Sequence, residues 1–306
     1  MNIVGIDAVR YGVDDLDAGR RYFSEFGLTE TEHGATGAKF VTMEQSEIQL
    51  FKNSESSLPA PPVEGPTIRE LVFGVKSNQA LEEIGAELAK DREVTRDSEG
   101  ALHTFDTSGY GIAFRVSRCQ PLGPEASPPV NLPGNNERRI DQRIDYSALV
   151  QVRHIGHAVY YVKDIKEASD FYMRRLGFRL SDSFTGCGSF MRAAGAREHH
   201  TLFLFAIEPY RGPHHIAFEV GDFNEVMLGG LGMQRHGWQS ELGPGRHIIG
   251  SNYFWYWKSP CGSRTEYYAD IDHVTDAWKP REWEFKPEVV AGWMVTAQDQ
   301  KVDRFD

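Results

Sequence analysis

The sequence predicts an α+β protein built from two related domains, and three observations lead to this fold class. The chain has 306 residues, which suits two domains of about 150 residues each. Its composition, 40% apolar and 12% aromatic, is typical of a globular protein with a large core. The third observation is an internal repeat, in which one pattern of strand and helix recurs along the chain.

The repeat is clearest where two segments align at an offset of 149 residues. VGIDAVRYGV at residues 4–13 corresponds to HIGHAVYYV at residues 154–162. Each segment is followed by acidic residues, then by apolar residues at helical spacing, and then by a glycine. This order predicts an amphipathic helix that ends at the glycine. Residues 68–75 and 213–220 open in the same way before further helix-like sequence. Four copies of one unit are therefore predicted.

Short strands follow the predicted helices, so each unit consists of a strand, a helix and several further strands. Runs rich in aromatic and β-branched residues, bounded by Gly, Ser or Pro, lie at 38–43, 47–51, 201–205 and 253–257. We predict an N-terminal domain over 1–120, a linker rich in Pro, Gly and Asn over 121–150, a C-terminal domain over 151–285, and a surface tail without chemistry over 286–306.

Composition also narrows the function. Lys and Arg number 33 against 44 Asp and Glu, a net charge of −11, and no basic run offsets it, so we expect no nucleic acid partner. The sequence has neither a signal-peptide pattern nor 18 consecutive apolar residues, so we expect no membrane partner. Cys119, Cys187 and Cys261 are too few and scattered for a disulfide framework. We therefore predict a cytoplasmic protein.

The four units differ at the position five residues before their closing valine. This position is Ala8, Glu70, His157 and His215 in chain order, so only the C-terminal pair carries imidazoles. A single histidine in a strand is usually structural, but two at equivalent positions of related units would meet near a pseudo-symmetry axis. Two histidines and one carboxylate form the facial set that holds Fe(II) while leaving positions open for substrate and oxygen.

Glu266 is the best candidate for the carboxylate. It lies within SRTEYYAD at 263–270, an apparent final strand, where a buried carboxylate is costly unless a cation or metal pairs with it. Its counterpart in the N-terminal half is Ala113. We therefore expect a metal in the C-terminal half alone.

With these residues in place, the C-terminal half resembles the catalytic domain of the type I extradiol catechol dioxygenases of the vicinal oxygen chelate (glyoxalase/bleomycin resistance/dioxygenase) superfamily. The resemblance depends on an ordered series, which is His157, HHT at 199–201, His215, GRH at 245–247, an aromatic stretch ending in Tyr256, and PCG before Glu266. It implies two domains, each a pair of βαβββ modules, with the ring-opening metal only in the C-terminal domain.

The resemblance also implies roles for individual residues and a reaction. His157, His215 and Glu266 would bind Fe(II) or Mn(II), His200 would be the acid–base catalyst, His247 would lie near the substrate, and Tyr256 would hydrogen-bond a substrate oxygen. The partners would be a small aromatic diol and O2, in the breakdown of aromatic hydrocarbons. Family members are commonly oligomeric, so we expect a homo-oligomer. Ile249 and Gly250 replace the Asn-Asp pair typical of biphenyl-type enzymes, so we expect a different substrate.

Spacing supports Tyr256 independently of the family. A hairpin turn centred near Cys261 would place Tyr256 directly opposite Glu266, because each lies five residues from the centre. Cross-strand neighbours have Cβ atoms about 5 Å apart. A phenol would then stand beside the carboxylate ligand.

Two alternatives to a dioxygenase stay open. One is a metal-dependent lyase or isomerase of the same superfamily, similar to a glyoxalase, and the other is a metal-free small-molecule binding protein. His200, His247 and Tyr256 favour the dioxygenase. Arg246 and Arg264 could bind a substrate carboxylate, but we expect them to pair with nearby acids. His199, His214 and His273 are expected to be structural or surface residues.

Overall fold

The computed structural model describes residues 2–123 and 150–296, together with 131, 133–134 and 139–141. Within these ranges the chain forms four βαβββ modules. Module 1 contains β1 (Ile3–Val13), α1 (Leu16–Glu25), β2 (Thr29–His33), β3 (Gly37–Val41) and β4 (Glu47–Lys52). Module 2 contains β5 (Thr67–Val75), α2 (Asn78–Leu88), β6 (Thr95–Arg96), β7 (Leu102–Phe105) and β8 (Gly111–Val116).

The C-terminal half repeats this order. Module 3 contains β9 (Ile155–Tyr161), α3 (Ile165–Asp170, extended by a π-helical turn over Phe171–Arg175), β10 (Arg179–Phe184), β11 (Gly188–Arg192) and β12 (Leu202–Phe205). Module 4 contains β13 (Gly212–Glu219), α4 (Phe223–Arg235), β14 (Ser240–His247), β15 (Tyr253–Lys258) and β16 (Arg264–Ala269). β17 (Arg281–Trp283), α5 (Pro287–Val290) and β18 (Ala291–Met294) follow.

The module helices begin and end at the signals that the sequence contains. Asp15, Asp164 and Asp222 each accept a hydrogen bond from the backbone N–H three residues later, at 2.9 to 3.0 Å. Gly27 after α1 and Gly177 after the π-helical turn have φ of 99° and 77°, a left-handed conformation that glycine adopts without a steric penalty. Local sequence therefore defines each strand-to-helix unit.

Within the described ranges the module strands form two sheets of the same design. The N-terminal sheet has the order β2-β3-β4-β1-β5-β8-β7-β6. The C-terminal sheet has the order β10-β11-β12-β9-β13-β16-β15-β14, flanked by β17 and β18. In both, the two modules meet along an antiparallel pair, β1 with β5 and β9 with β13. The α+β prediction with paired βαβββ modules is confirmed.

The two halves share a continuous apolar core. The ring of Phe26, after α1, stacks on Tyr267 of β16 with centroids 3.9 Å apart. The Tyr267 hydroxyl donates a hydrogen bond to the carbonyl of Phe26 at 2.8 Å. A helix of the C-terminal half likewise contacts the N-terminal half: the hydroxyl of Tyr172, in module 3, donates a hydrogen bond to buried Asp106 of module 2 at 2.9 Å. Helices of each half thus pack against the other half.

The C-terminal segment differs from the surface tail that the sequence suggested. β18 pairs with β14 and extends the C-terminal sheet, with Gly245 opposite Met294. Val289 and Val290 line the main cavity of this half. Sequence alone missed this because the segment is short and mostly polar, so its position depends on a sheet edge distant in sequence. Most of the predicted linker, 121–150, lies outside the described residues, and the domain boundaries stay a prediction.

Among the residues that the structure describes, no helix combines the length and apolar character that a membrane crossing requires.

Candidate active site

Strand register brings His157, His215 and Glu266 together. Ala217 of β13 lies opposite His157 of β9 on one side and opposite Glu266 of β16 on the other. His215 is two residues before Ala217, so its side chain leaves β13 on the same face. Three adjacent strands of one sheet therefore direct one potential metal ligand each toward a common point.

The three side chains form a buried, converging group. Oε2 of Glu266 lies 3.3 Å from Nε2 of His157 and 3.1 Å from Nε2 of His215. Burial alone would raise the pKa of Glu266, but the two imidazoles hold it well below its usual range. Burial lowers the pKa of His215 to about 4. The group therefore consists of a carboxylate facing neutral imidazole, the protonation state that binds a divalent metal.

In the part of the chain that the structure describes, buried polar atoms of the His157, His215 and Glu266 group have no hydrogen-bond partner, which indicates a cation site. Nε2 of His215 and Oε2 of Glu266 are buried and have no hydrogen-bond partner among the described residues. Leaving buried polar atoms unpaired is costly, and coordination of one cation would satisfy both. The donor set, two imidazole nitrogens and one carboxylate oxygen, fits Fe(II) or Mn(II) with open positions.

Asn252 supports the carboxylate, and the sequence analysis did not assign it a role. This residue is 1% exposed, and its Nδ2 donates to Oε1 of Glu266 at 3.3 Å. The bond holds the second carboxylate oxygen and so directs Oε2 toward the two histidines. Its position just before an aromatic strand is a weak signal that a single sequence does not distinguish from an ordinary turn asparagine.

Tyr256 and His247 form a second pair beside the group. Tyr256 lies directly opposite Glu266 in the β15–β16 pairing, as the spacing around Cys261 predicts. Nδ1 of His247 donates to the carbonyl of Val290 at 2.7 Å, which leaves Nε2 as an acceptor. The Tyr256 hydroxyl, 3.0 Å away, therefore donates to Nε2. The C-terminal segment thus fixes the tautomer of His247 and the direction of the phenol.

His200 lies over His157, with ring centroids 4.1 Å apart. Burial and the neighbouring histidines keep its pKa well below the usual range, so the ring is neutral. Its Nδ1 is 3.2 Å from Nδ1 of His199, whose Nε2 lies 3.5 Å from the carboxylate of Asp182. The two Nδ1 atoms share one hydrogen bond, which holds the His200 ring in place. His199, expected to be structural, thus orients His200.

Five of the six predicted site residues line one cavity of about 330 Å³. His157, His215, His200, His247 and Tyr256 all line it. The cavity also has an aromatic wall, which consists of Phe184, Phe190, Phe203, Phe205 and Phe285. The rings of Phe190 and Phe203 stack with centroids 3.9 Å apart. A flat apolar ring fits such a wall, with its polar atoms directed to the histidines.

The two arginines pair with acids, which confirms that expectation. Arg264 contacts Glu241 at 2.6 Å, and both side chains line the cavity. Arg246 contacts Asp270 at 2.8 Å. His214 also lines the cavity, where its Nδ1 lies 2.5 Å from Nδ1 of His215.

The N-terminal sheet has the same register without the ligands. Val72 of β5 lies opposite both Ala8 and Ala113, and the three side chains form a small apolar cluster. Glu70, the counterpart of His215, is buried and binds Arg10 at 2.9 Å and His103 at 2.9 Å. The N-terminal half therefore fills the equivalent position with methyl groups and a closed ion network.

A second histidine–carboxylate group lies near the first. Nδ1 of His154 is 3.2 Å from Glu219, whereas Nε2 is 3.3 Å from Glu198. Both carboxylates contact the same imidazole ring, and one ligand atom from each of the three residues lies within 4.8 Å of the others. Burial alone would lower the pKa of His154, but these carboxylates raise it well above its usual range. The group is an ion cluster of a protonated histidine.

Comparison with known proteins places the chain in a family. The model of the Glyoxalase/Bleomycin resistance protein/Dioxygenase superfamily matches residues 154–267. Metapyrocatechase 2 of Cupriavidus necator is 30% identical over 281 residues, which are 89% of this chain and 83% of that protein. The chain belongs to the extradiol catechol dioxygenase family.

Solved structures share the fold of this dioxygenase. The Mn(II)-bound glyoxalase from Novosphingobium aromaticivorans has a TM-score of 0.75 at 20% identity, covering 95% of this chain and 91% of its own. Homoprotocatechuate 2,3-dioxygenase from Arthrobacter globiformis has a TM-score of 0.74 at 18% identity, covering 95% and 88%. Because both a glyoxalase and a dioxygenase have this fold, the fold of the dioxygenase does not by itself define a reaction.

Proposed function

We propose that this enzyme opens a substituted catechol by extradiol cleavage with O2 at a single divalent metal, Fe(II) or Mn(II). The observation that carries the proposal is the convergence of His157, His215 and Glu266 beside His200 and Tyr256 in one aromatic cavity. The C–C bond broken would be the one adjacent to the two hydroxyls, and both oxygen atoms would enter the product. A cytoplasmic location agrees with three free cysteines, and a homo-oligomer stays a prediction.

The proposed ligands are His157, His215 and Glu266, whose combined charge leaves a bound divalent ion with a net charge of +1. The metal, when bound, brings the diol oxygens and O2 together and lets electron density pass from ring to oxygen, which overcomes the slow reaction of triplet O2 with a singlet ring. Asn252 keeps Glu266 oriented during this chemistry.

Protein side chains supply the proton transfers and the positioning. The neutral imidazole of His200 lines the cavity and is suited to take a proton from a substrate hydroxyl and return it during ring opening. The Tyr256 hydroxyl, which donates to His247, presents its oxygen as an acceptor for a substrate hydroxyl and so positions the diol. The phenylalanine wall holds the ring and excludes water from it.

The test measures oxygen uptake and the visible spectrum when anaerobically purified, Fe(II)-loaded protein meets a panel of substituted catechols. We expect a yellow ring-fission product and one O2 consumed per catechol. His215→Ala should lose both signals together with the bound metal. No oxygen uptake by a protein that binds one metal per chain would overturn the proposal.

A metal-dependent lyase or isomerase is the second candidate, favoured by the fold likeness to the Mn(II)-bound glyoxalase. The converging group contains one carboxylate, Glu266, and both histidines come from the same half of the chain. A glyoxalase-like site often has a second carboxylate ligand, so the single carboxylate favours the dioxygenase. Oxygen uptake separates the two reactions.

A further inference from the structure

The cavity contains one ion pair close to the proposed metal ligands. Arg264 lies two residues before Glu266 on β16, so both side chains leave the strand on the same face, about 7 Å apart along it. Its guanidinium donates to Oε1 of Glu241, on β14, at 2.6 Å. Among the described residues that line the cavity, Arg264 is the one arginine or lysine. A substrate anion entering here would therefore depend on Arg264.

We propose that Glu241 is a specificity determinant, which by occupying Arg264 makes the cavity select catechols with an uncharged, apolar substituent and discriminate against carboxylated ones. This inference rests on the proposed function, extradiol cleavage at the adjacent ligands. It goes further because it assigns the substituent class and the residue that sets it.

The charge arrangement supports this selection. The side chains of Arg264 and Glu241 both line the cavity and are 34% and 28% exposed, so a ligand in the cavity can approach both charges. A carboxylated substrate would have to displace Glu241 or lie beside it. Like charges placed together in a partly desolvated site repel each other, which weakens binding of the carboxylated substrate.

The remaining lining favours an apolar substituent of limited size. Phe184, Phe205 and Phe285 offer ring surface and no hydrogen-bond donors. A carboxylate against this wall would lose its hydration without compensation. The cavity volume of about 330 Å³ lies at the lower end of the range for small-molecule sites, which suits one ring with a short side chain.

The experiment compares 4-ethylcatechol with 3,4-dihydroxyphenylacetate, which differ in the charge of the side chain. For the Fe(II)-loaded wild-type protein we expect kcat/KM for 4-ethylcatechol to be at least about 100-fold higher than kcat/KM for 3,4-dihydroxyphenylacetate, and this quotient is the selectivity ratio. Glu241→Gln removes the competing anion, so the ratio should fall about tenfold. Adding Arg264→Gln to that variant should restore the ratio, because the freed guanidinium is gone.

Binding supplies a readout that is independent of turnover. Anaerobic calorimetry with 4-ethylphenol and 4-hydroxyphenylacetate, neither of which is a catechol, should show the same change in the ratio of Kd values. Glu82→Gln is the matched control, because Glu82 pairs with Arg96 at 2.7 Å in the N-terminal half. It should keep the wild-type ratios, and thermal melting should show that every variant is folded.

The outcomes separate this inference from the proposed function. Comparable kcat/KM values for both catechols, or unchanged ratios in Glu241→Gln, would overturn the role of Glu241 while leaving the ring cleavage intact. Absence of cleavage of both catechols by the metal-loaded protein would overturn the proposed function and the inference that rests on it.

Discussion

At the scale of single residues, the site depends on hydrogen bonds that fix the direction of each polar group. Glu266 has one oxygen held by Asn252 and the other directed at two histidines. His247 is held at both nitrogens, by the carbonyl of Val290 and the hydroxyl of Tyr256. Such supporting contacts place the reactive atoms before any substrate binds.

Asn252→Ala should weaken metal binding about 10- to 100-fold, the usual cost of losing a residue that orients a ligand. Glu266 would keep its position on β16 but lose the bond that aims its carboxylate. Competition with a chelator measures the affinity. Asn224→Ala is the control, since Asn224 bonds Asp222 at the start of α4. Equal metal affinity in the Asn252 variant and the wild type would contradict the role given to Asn252.

Tyr256→Phe should lower kcat about 10- to 100-fold without changing the metal content, because the phenol lies beside the ligands and is not one of them. Steady-state kinetics and metal analysis of the same preparation test this. Tyr253→Phe, at the half-buried start of the same strand, should retain wild-type kcat. A Tyr256→Phe variant with unchanged kcat would show that the hydroxyl is not needed.

At the scale of elements, the pairing of three strands brings the proposed ligands together, and the C-terminal segment completes the cavity. A shift of one residue in β13 would turn His215 to the other face of the sheet, because side chains alternate along a strand. β18 extends the sheet beyond β14, and the preceding helix α5 supplies Val289 and Val290 to the cavity.

Ending the chain after Lys286 should therefore reduce kcat/KM by about tenfold or more, since His247 loses its carbonyl acceptor and the cavity loses part of its wall. Kinetics and thermal unfolding of the truncated protein test this together. Val289→Ser separates the two effects, because it changes the wall and keeps the backbone carbonyl. Unchanged kcat/KM after truncation would rule out a role for the C-terminal segment.

At the scale of the whole molecule, helices of each half pack against the other half, and one buried carboxylate lies at this contact. Asp106 accepts hydrogen bonds from the backbone of Ser108 and Tyr110 and from the hydroxyl of Tyr172. Burial raises its pKa to about 6. An unfolded aspartate has a pKa near 3.9, so the folded state binds the proton more tightly.

This difference predicts a pH-dependent contribution to stability. The contribution is fully present below about pH 4 and is lost as the pH rises through about 6. The free energy of unfolding should fall by about 3 kcal/mol over this range. Asp106→Asn keeps the acceptor oxygen and does not titrate. Urea unfolding of both proteins from pH 4 to 7 should show the stability of the wild type falling relative to the variant by this amount. A constant difference would contradict the raised pKa.

The sequence by itself determined the modules, the half that carries the proposed ligands, and the pairing of Tyr256 with Glu266. These features are local or periodic: caps and glycines define each helix, and a hairpin defines its own cross-strand pairs. The internal repeat then supplied the comparison of Ala8, Glu70 and Ala113 with their C-terminal counterparts.

The tertiary structure alone decided how Asn252, His199 and the C-terminal segment support the site, and how Glu241 holds Arg264. These contacts join residues from separate strands and turns, and their directions follow from sheet register and packing. No local pattern encodes that a backbone carbonyl at residue 290 reaches His247. Long-range burial determines such contacts, because a polar group removed from water must find whatever partner the completed fold places beside it.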